Sequence, residues 1–334
     1  MRKLTAGGTL CLLLTFAVSA LVAAQAPPVP SALPIVGIAQ VTFKASDLAK
    51  ARAYYDGVLG LAEAFDLKDS TGRVTSAFFK INDDQYIEVM PNLRPGELVR
   101  QGRVVFQTTD IQALHTLYQA RDLQPGPIEK GPDGNLVFRV HGLDDANLDF
   151  LQYMPGSQQV NARGKFLDAR RLTTHLQHAG ILTKDRAAAR PFFQDKIGFD
   201  AGRTVPGSRG DYIETPSGDR NTETKNPVLE DTPATHDRWL REQYGAVQHI
   251  GIEVTDMRAA RDLAQKRGAY DDLRVRVAVG NNRHWLMHLF DPDGSRAEFV
   301  ETALQDTLPA MTVMAPGAPA PPILPKVPGQ LPWP

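Results

Sequence analysis

The sequence is nearly without cysteine: one residue in 334, Cys11, inside an apolar N-terminal run. The rest of the chain therefore has no disulfide framework, no thiolate metal site and no Cys nucleophile. Any metal must be held by His, Asp, Glu or water, donors that suit Fe, Mn, Ni, Zn or Mg without choosing among them. A charge excess is also missing. With 37 basic and 38 acidic residues the net charge is −1, so no global field favours nucleic acid or an anionic membrane.

The apolar stretch Leu10–Val22 is shorter than the roughly 20 residues a spanning helix needs. Arg2 and Lys3 precede it and Ala23, Ala24 and Ala26 follow, the pattern of a signal peptide over residues 1–26. The expectation is export to a periplasmic or secreted location, with no membrane attachment after cleavage; a retained anchor is the alternative. Residues 308–334 are rich in Pro and Ala with almost no charge, and read as an extended tail.

Between these ends the chain writes one opening twice. Residues 40–61 read QVTFKASDLAKARAYYDGVLGL and residues 178–199 read HAGILTKDRAAARPFFQDKIGF. At this offset Asp47 falls on Asp185, Tyr54-Tyr55 on Phe192-Phe193, Gly60 on Gly198, and Gln40 on His178. A repeat at this spacing, in a chain of this length, predicts two similar domains, over 35–156 and 172–304. Each divides again. Short strands begin near Gln40, Arg103, His178 and His249, and in all four an Asp follows seven residues later: Asp47, Asp110, Asp185 and Asp256. Such an Asp predicts a helix N-cap. Helices are expected over Leu48–Leu59, stopped by Gly60, over Ile111–Arg121, after Asp185, and from Asp256 to about Lys266, with Gly268 as the stop. Two or three β-like segments follow each helix, including Tyr86–Val89, Leu148–Leu151, Tyr212–Glu214 and Ala297–Val300. A further helix is expected near His236–Tyr244, beside Trp239.

This four-fold β-α-β-β-β pattern, closing on Phe290-Asp291-Pro292-Asp293-Gly294-Ser295-Arg296-Ala297-Glu298, resembles the vicinal oxygen chelate superfamily of glyoxalase I, extradiol dioxygenases, epimerases and bleomycin-resistance proteins. The resemblance covers about residues 35–303. It implies an α+β fold of four βαβββ modules, paired into two cup-shaped domains, with ligands on the first and last strands of each module. Carried over by position, the second domain supplies His178, Glu214, His249 and Glu298 as ligands of one divalent ion (Fe, Mn, Ni or Zn). Gln40, Glu88, Arg103 and Asp149 stand at the matching places of the first. A guanidinium cannot ligate a cation, so the first domain is expected to be a metal-free copy.

The remaining histidines rank lower. His175 is an odd number of residues from His178 and belongs to the other strand face; His115 and His141 lie in the first domain. His284 and His288 share a strand face. His288 is expected beside Glu298, where extradiol dioxygenases carry a tyrosine, as a hydrogen-bond partner or an acid/base.

The resemblance leaves the reaction open. Four ligands with Glu214, Glu298 and His288 as catalytic groups imply a glyoxalase-like lyase or isomerase working through an enediolate. His178, His249 and Glu298 alone form the facial triad of an Fe(II) ring-cleaving dioxygenase, although no histidine lies near Asp211–Ile213, where that group keeps its base. A resistance-type binding protein is the non-enzymatic alternative. The partner is a small molecule in every case, with adjacent oxygens in the enzymatic readings, and the protein a monomer or homodimer.

Overall fold

The computed structural model describes residues 33–183, 185–201, 210–215, 220–225, 248–269, 277–279 and 284–302. The signal, the tail and the helix expected near His236–Tyr244 lie outside the described residues. No helix among the described residues is long and apolar enough to cross a membrane.

The first half forms eight strands: β1 (Ile35–Lys44), β2 (Glu63–Lys68), β3 (Val74–Lys80), β4 (Tyr86–Met90), β5 (Gln101–Thr108), β6 (Glu129–Lys130), β7 (Leu136–His141) and β8 (Asn147–Gln152). The second repeats them as β9 (Leu176–Leu182), β10 (Asp200–Ala201), β11 (Gly210–Glu214), β12 (Arg220–Lys225), β13 (His249–Val254), β14 (Val277–Val279), β15 (Trp285–Phe290) and β16 (Arg296–Glu301). Each half is one curled mixed sheet, in the order β2-β3-β4-β1-β5-β8-β7-β6 and β10-β11-β12-β9-β13-β16-β15-β14. In both, the first strands of two modules meet antiparallel at the centre, and each pairs in parallel with the fourth strand of its own module.

The four aspartates cap four helices. Asp47 accepts from the Ala49 and Lys50 amides, Asp110 from Ala113, Asp185 from Ala187 and Ala188, and Asp256 from Arg258 and Ala259. Each satisfies amides that the first turn leaves without partners. Two helices depart from the expected geometry. After Leu48–Arg52 the chain widens to a π-helix over Ala53–Val58, and Arg186–Pro191 is followed by one over Phe192–Ile197. The wider turn brings adjacent aromatics toward one side, so Tyr54 and Tyr55 are both buried. Tyr55 stacks on Phe79, with ring centroids 5.2 Å apart.

The halves share a continuous apolar core. Phe106 meets Phe199 at 5.0 Å between centroids, and the Tyr118 hydroxyl donates to the Ile197 carbonyl at 3.2 Å. The Asp-Pro-Asp-Gly turn docks on the first half. Tyr55 Oη donates to Asp291 Oδ2 at 3.0 Å, Ser46 Oγ to Asp293 Oδ1 at 2.6 Å, and Arg100 Nε to the Asp293 carbonyl. Asp291 Oδ1 also accepts from the amides of Asp293 and Ser295, at 3.0 and 2.7 Å.

Burial raises the Asp291 pKa from 3.8 to about 6, against those hydrogen bonds and with Asp293 adding to the rise. The folded chain therefore holds this proton more tightly than the unfolded chain. The associated stability is present below about pH 4 and is lost as pH rises through about 6. Asp291→Asn keeps the acceptor for both amides and carries no charge. Its denaturation midpoint should match wild type near pH 4 and exceed it at pH 7–8, by about 1–3 kcal/mol in unfolding free energy. A constant difference across that range would mean Asp291 does not titrate on folding.

Candidate metal centre

Convergence in the second sheet begins with register. His178 on β9 and His249 on β13 lie on neighbouring antiparallel strands, with His178 opposite Gly251. Only glycine fits at 251. A Cβ there would fall 2.0 Å from His178 Cε1 and 2.1 Å from Nδ1, so the imidazole occupies the space a side chain would take. The rings meet edge to face, with centroids 5.2 Å apart at 83°, and bring their Nε2 atoms to 3.1 Å. On β16, Glu298 pairs with Gly251. Its Oε1 lies 3.8 Å from His178 Nε2 and its Oε2 3.9 Å from His249 Nε2.

All three side chains are buried, and one ligand atom from each lies within 4.8 Å of the others. Two ring nitrogens and a carboxylate enclosed this closely need a shared proton or a cation between them. The donor set, two imidazoles and one carboxylate without thiolate, fits a first-row divalent ion.

The chain also sets the tautomer of His178. Gln177 Nε2 donates to Glu253 Oε1 at 2.9 Å, an oxygen that only accepts when the carboxyl is ionised. That orients the amide so that Gln177 Oε1 faces His178 Nδ1 at 3.1 Å. Nδ1 then carries the proton, and the Nε2 lone pair points at His249 and Glu298. Glu253 Oε2 meets His175 Nδ1 at 2.9 Å. His175 thus lies outside the ligand group but at the end of a hydrogen-bonded chain leading to it. Reading residues one at a time missed Gln177 and Glu253; their signal was Gln177's place beside a candidate ligand.

His288 pairs with Glu298 across β15 and β16, and its Nε2 lies 3.1 Å from Glu298 Oε2. Arg296, two residues before Glu298, places Nη2 3.3 Å from the same oxygen. The sequence reading missed Arg296 too, although period-two alternation puts it on the face of Glu298. Of the others, His284 Nδ1 contacts the Glu301 carbonyl at 2.6 Å, His115 Nε2 the Gly126 carbonyl at 2.9 Å, and His141 is exposed.

Glu214 does not join the group. It stands on β11, paired with Asp200 and Arg220, and β12 separates its strand from β9. Two inter-strand steps amount to about 10 Å. Its equation with Glu88 was one strand out. Glu88 pairs with Thr42, two residues beyond Gln40, and Asp149 with Val105, two beyond Arg103. Glu298 pairs with Gly251, two beyond His249. In the third module the residue paired two beyond His178, at Gly180, is Glu223 on β12. Spacing carried this signal. The intervals are 48 residues from Gln40 to Glu88, 46 from Arg103 to Asp149 and 49 from His249 to Glu298. From His178 the interval is 36 to Glu214 and 45 to Glu223. The polar strand Arg220–Lys225 shows no apolar alternation, while Tyr212-Ile213-Glu214 imitates Tyr86-Ile87-Glu88.

In the first cup the matching residues neutralise one another. Glu88 Oε2 accepts from Gln40 Nε2 and Arg103 Nη2, each at 2.6 Å, and Oε1 accepts from Ser76 Oγ at 2.7 Å. Arg139 forks onto Asp149 at 2.6 and 2.9 Å. Gln40, Arg103, Asp149 and Phe78 line a cavity of about 100 Å³ there.

Residues 175–299 match the glyoxalase/bleomycin resistance protein/dioxygenase superfamily. The match places the second half of the chain, over residues 175–299, in this superfamily, and the first half repeats the same fold. No curated protein matches the sequence. Among solved structures, a variant of homoprotocatechuate 2,3-dioxygenase from Brevibacterium fuscum is similar at 17% identity and a TM-score of 0.59, over 83% of this chain and 75% of that one. An anaerobic complex of that enzyme with 3,4-dihydroxyphenylacetate gives 17% and 0.59, over 83% and 84%. A room-temperature structure of an extradiol ring-cleaving dioxygenase from B. fuscum gives 17% and 0.58, over 87% and 77%. This likeness concerns the superfamily fold.

Gly251→Ala tests the packing at the centre. The methyl must displace the His178 ring, so metal affinity should fall about 10- to 100-fold, with the far-ultraviolet circular dichroism unchanged. Equilibrium dialysis of Zn(II) against both proteins reads this; equal affinities would mean the ring does not hold the ion.

Proposed function

We propose that the second cup holds one divalent ion on His178, His249 and Glu298, and that the protein is an Fe(II) extradiol-type ring-cleaving dioxygenase acting on a small vicinal diol. The observation that carries this reading is the composition of the buried group among the described residues: two imidazoles and one carboxylate, with Glu214 absent from it. Three ligands on one side of an octahedral ion leave adjacent positions for a chelating diol and dioxygen. A bound Fe(II) would supply Lewis acidity and one-electron exchange at those positions.

The chain's own groups supply the rest. Gln177 and Glu253 keep the proton on His178 Nδ1 and so present Nε2. His288, hydrogen-bonded to Glu298 Oε2, restrains the carboxylate and is, among the described residues, an imidazole outside the ligand set able to take or return a proton from a bound hydroxyl. Burial of the group keeps bulk water from competing for the same donors.

A second reading, a lyase or isomerase working through an enediolate, is favoured by one observation, the register of Glu223. A fourth carboxylate there would occupy a position the dioxygenase reading leaves open. Metal analysis and an oxygen electrode separate the two. The first reading expects Fe(II)-loaded protein to consume oxygen with catechols, Glu223→Gln to keep wild-type metal content, and His249→Ala to lose metal and uptake together. Full metal loading without oxygen uptake, with at least about tenfold weaker metal binding in Glu223→Gln, would instead establish proton transfer. Unchanged metal content in His249→Ala would remove the site.

A further inference from the structure

Arg296 is the one arginine at the second centre among the described residues, and two of its nitrogens make no hydrogen bond there. It is nine-tenths buried, yet neither Nε nor Nη2 has a hydrogen-bond partner among the described residues. The carboxylate beside it is Glu298, 3.3 Å from Nη2, which the ion also requires. The first cup is an internal control. Its two arginines each have a carboxylate at 2.6 Å, and the pairs cancel. A guanidinium with buried, unused donors is costly unless an anion completes it, and its planar fork matches a carboxylate.

Charge leads to the same place. Among the described side chains, two neutral imidazoles, one carboxylate and a divalent ion leave one positive charge, and Arg296 makes it two. A neutral diol bound as a monoanion would leave this buried site charged; a ligand with two negative charges would neutralise it.

We propose that Arg296 is a binding residue for a second anionic group on the chelated ligand, so that the substrate class is a vicinal diol with a carboxylate next to its oxygens. The position matters, because Arg296 lies on the strand of Glu298 and borders its Oε2. A carboxylate adjacent to the diol can reach it while the oxygens chelate, and one carried on a distant chain cannot. This rests on the cation site argued above but not on oxygen chemistry.

The test uses the full chain loaded with Zn(II), which is redox-silent, and titration calorimetry with catechol, 2,3-dihydroxybenzoate and 3,4-dihydroxyphenylacetate. Wild type should bind 2,3-dihydroxybenzoate about 10- to 100-fold more tightly than the other two, the range for a charge-assisted pair. Arg296→Gln should abolish that preference in a protein that still takes up zinc and binds catechol; Arg296→Lys should keep part of it. Equal affinity of wild type for all three ligands overturns the proposal. So does a preference that survives in Arg296→Gln, or an equal loss for every ligand. A preference that depends on Arg296, in a protein whose Fe(II) form consumes no oxygen, upholds the anchor and refutes only the dioxygenase reading. Wild type that holds no zinc refutes the cation site and the anchor together.

Discussion

The centre depends on a backbone constraint that the chain satisfies four times. The parallel pairing of each module's first and fourth strands sets one fourth-strand acid opposite the residue two beyond a marked first-strand position: Glu88 on Thr42, Asp149 on Val105, Glu223 on Gly180 and Glu298 on Gly251. Residues two apart share a strand face, so in the first, second and fourth modules the acid and the marked residue stand on the same side of the sheet. Antiparallel pairing of the two first strands then brings two modules' sets together. No loop has to be placed for the ligands to meet.

The same frame carries opposite electrostatics in the two halves. In the first cup, arginines and carboxylates are matched at 2.6 Å, a closed arrangement with no need of an ion. In the second, imidazoles replace Gln40 and Arg103 at the marked positions, and one arginine is left with donors unmet among the described residues. Exchanging a guanidinium and an amide for two imidazoles replaces donors with lone pairs, which can hold a cation where the first cup holds an ion pair.

The halves are not independent. The turn that starts the strand of Glu298 is held by Tyr55, Ser46 and Arg100 of the first half. The π-helical turn that buries both Tyr54 and Tyr55 is therefore part of what positions the second centre. The first cup thus has a structural role, as the surface on which the hairpin of Glu298 docks.

Much of this was legible from spacing alone. Strand-Asp-helix recurrence located four modules, because an Asp cap and an alternating strand are local properties that survive without any tertiary contact. The convergence of His178, His249 and Glu298 was legible from that recurrence together with the family resemblance, each residue standing at the same register of a repeated element. Glu214 was misplaced because an apolar-acidic tripeptide looks alike on a third or a fourth strand, and only pairing says which strand is adjacent to β9. The roles of Gln177, Glu253 and Arg296 were not legible for a related reason. Their contribution lies in where donors point across strands, and sequence order does not encode distance between strands. The amino-acid pattern by itself determined the modules, their caps and which half could bind a cation. Tertiary structure alone decided which acid neighbours which histidine, because hydrogen-bond registry between strands is a property of the assembled sheet.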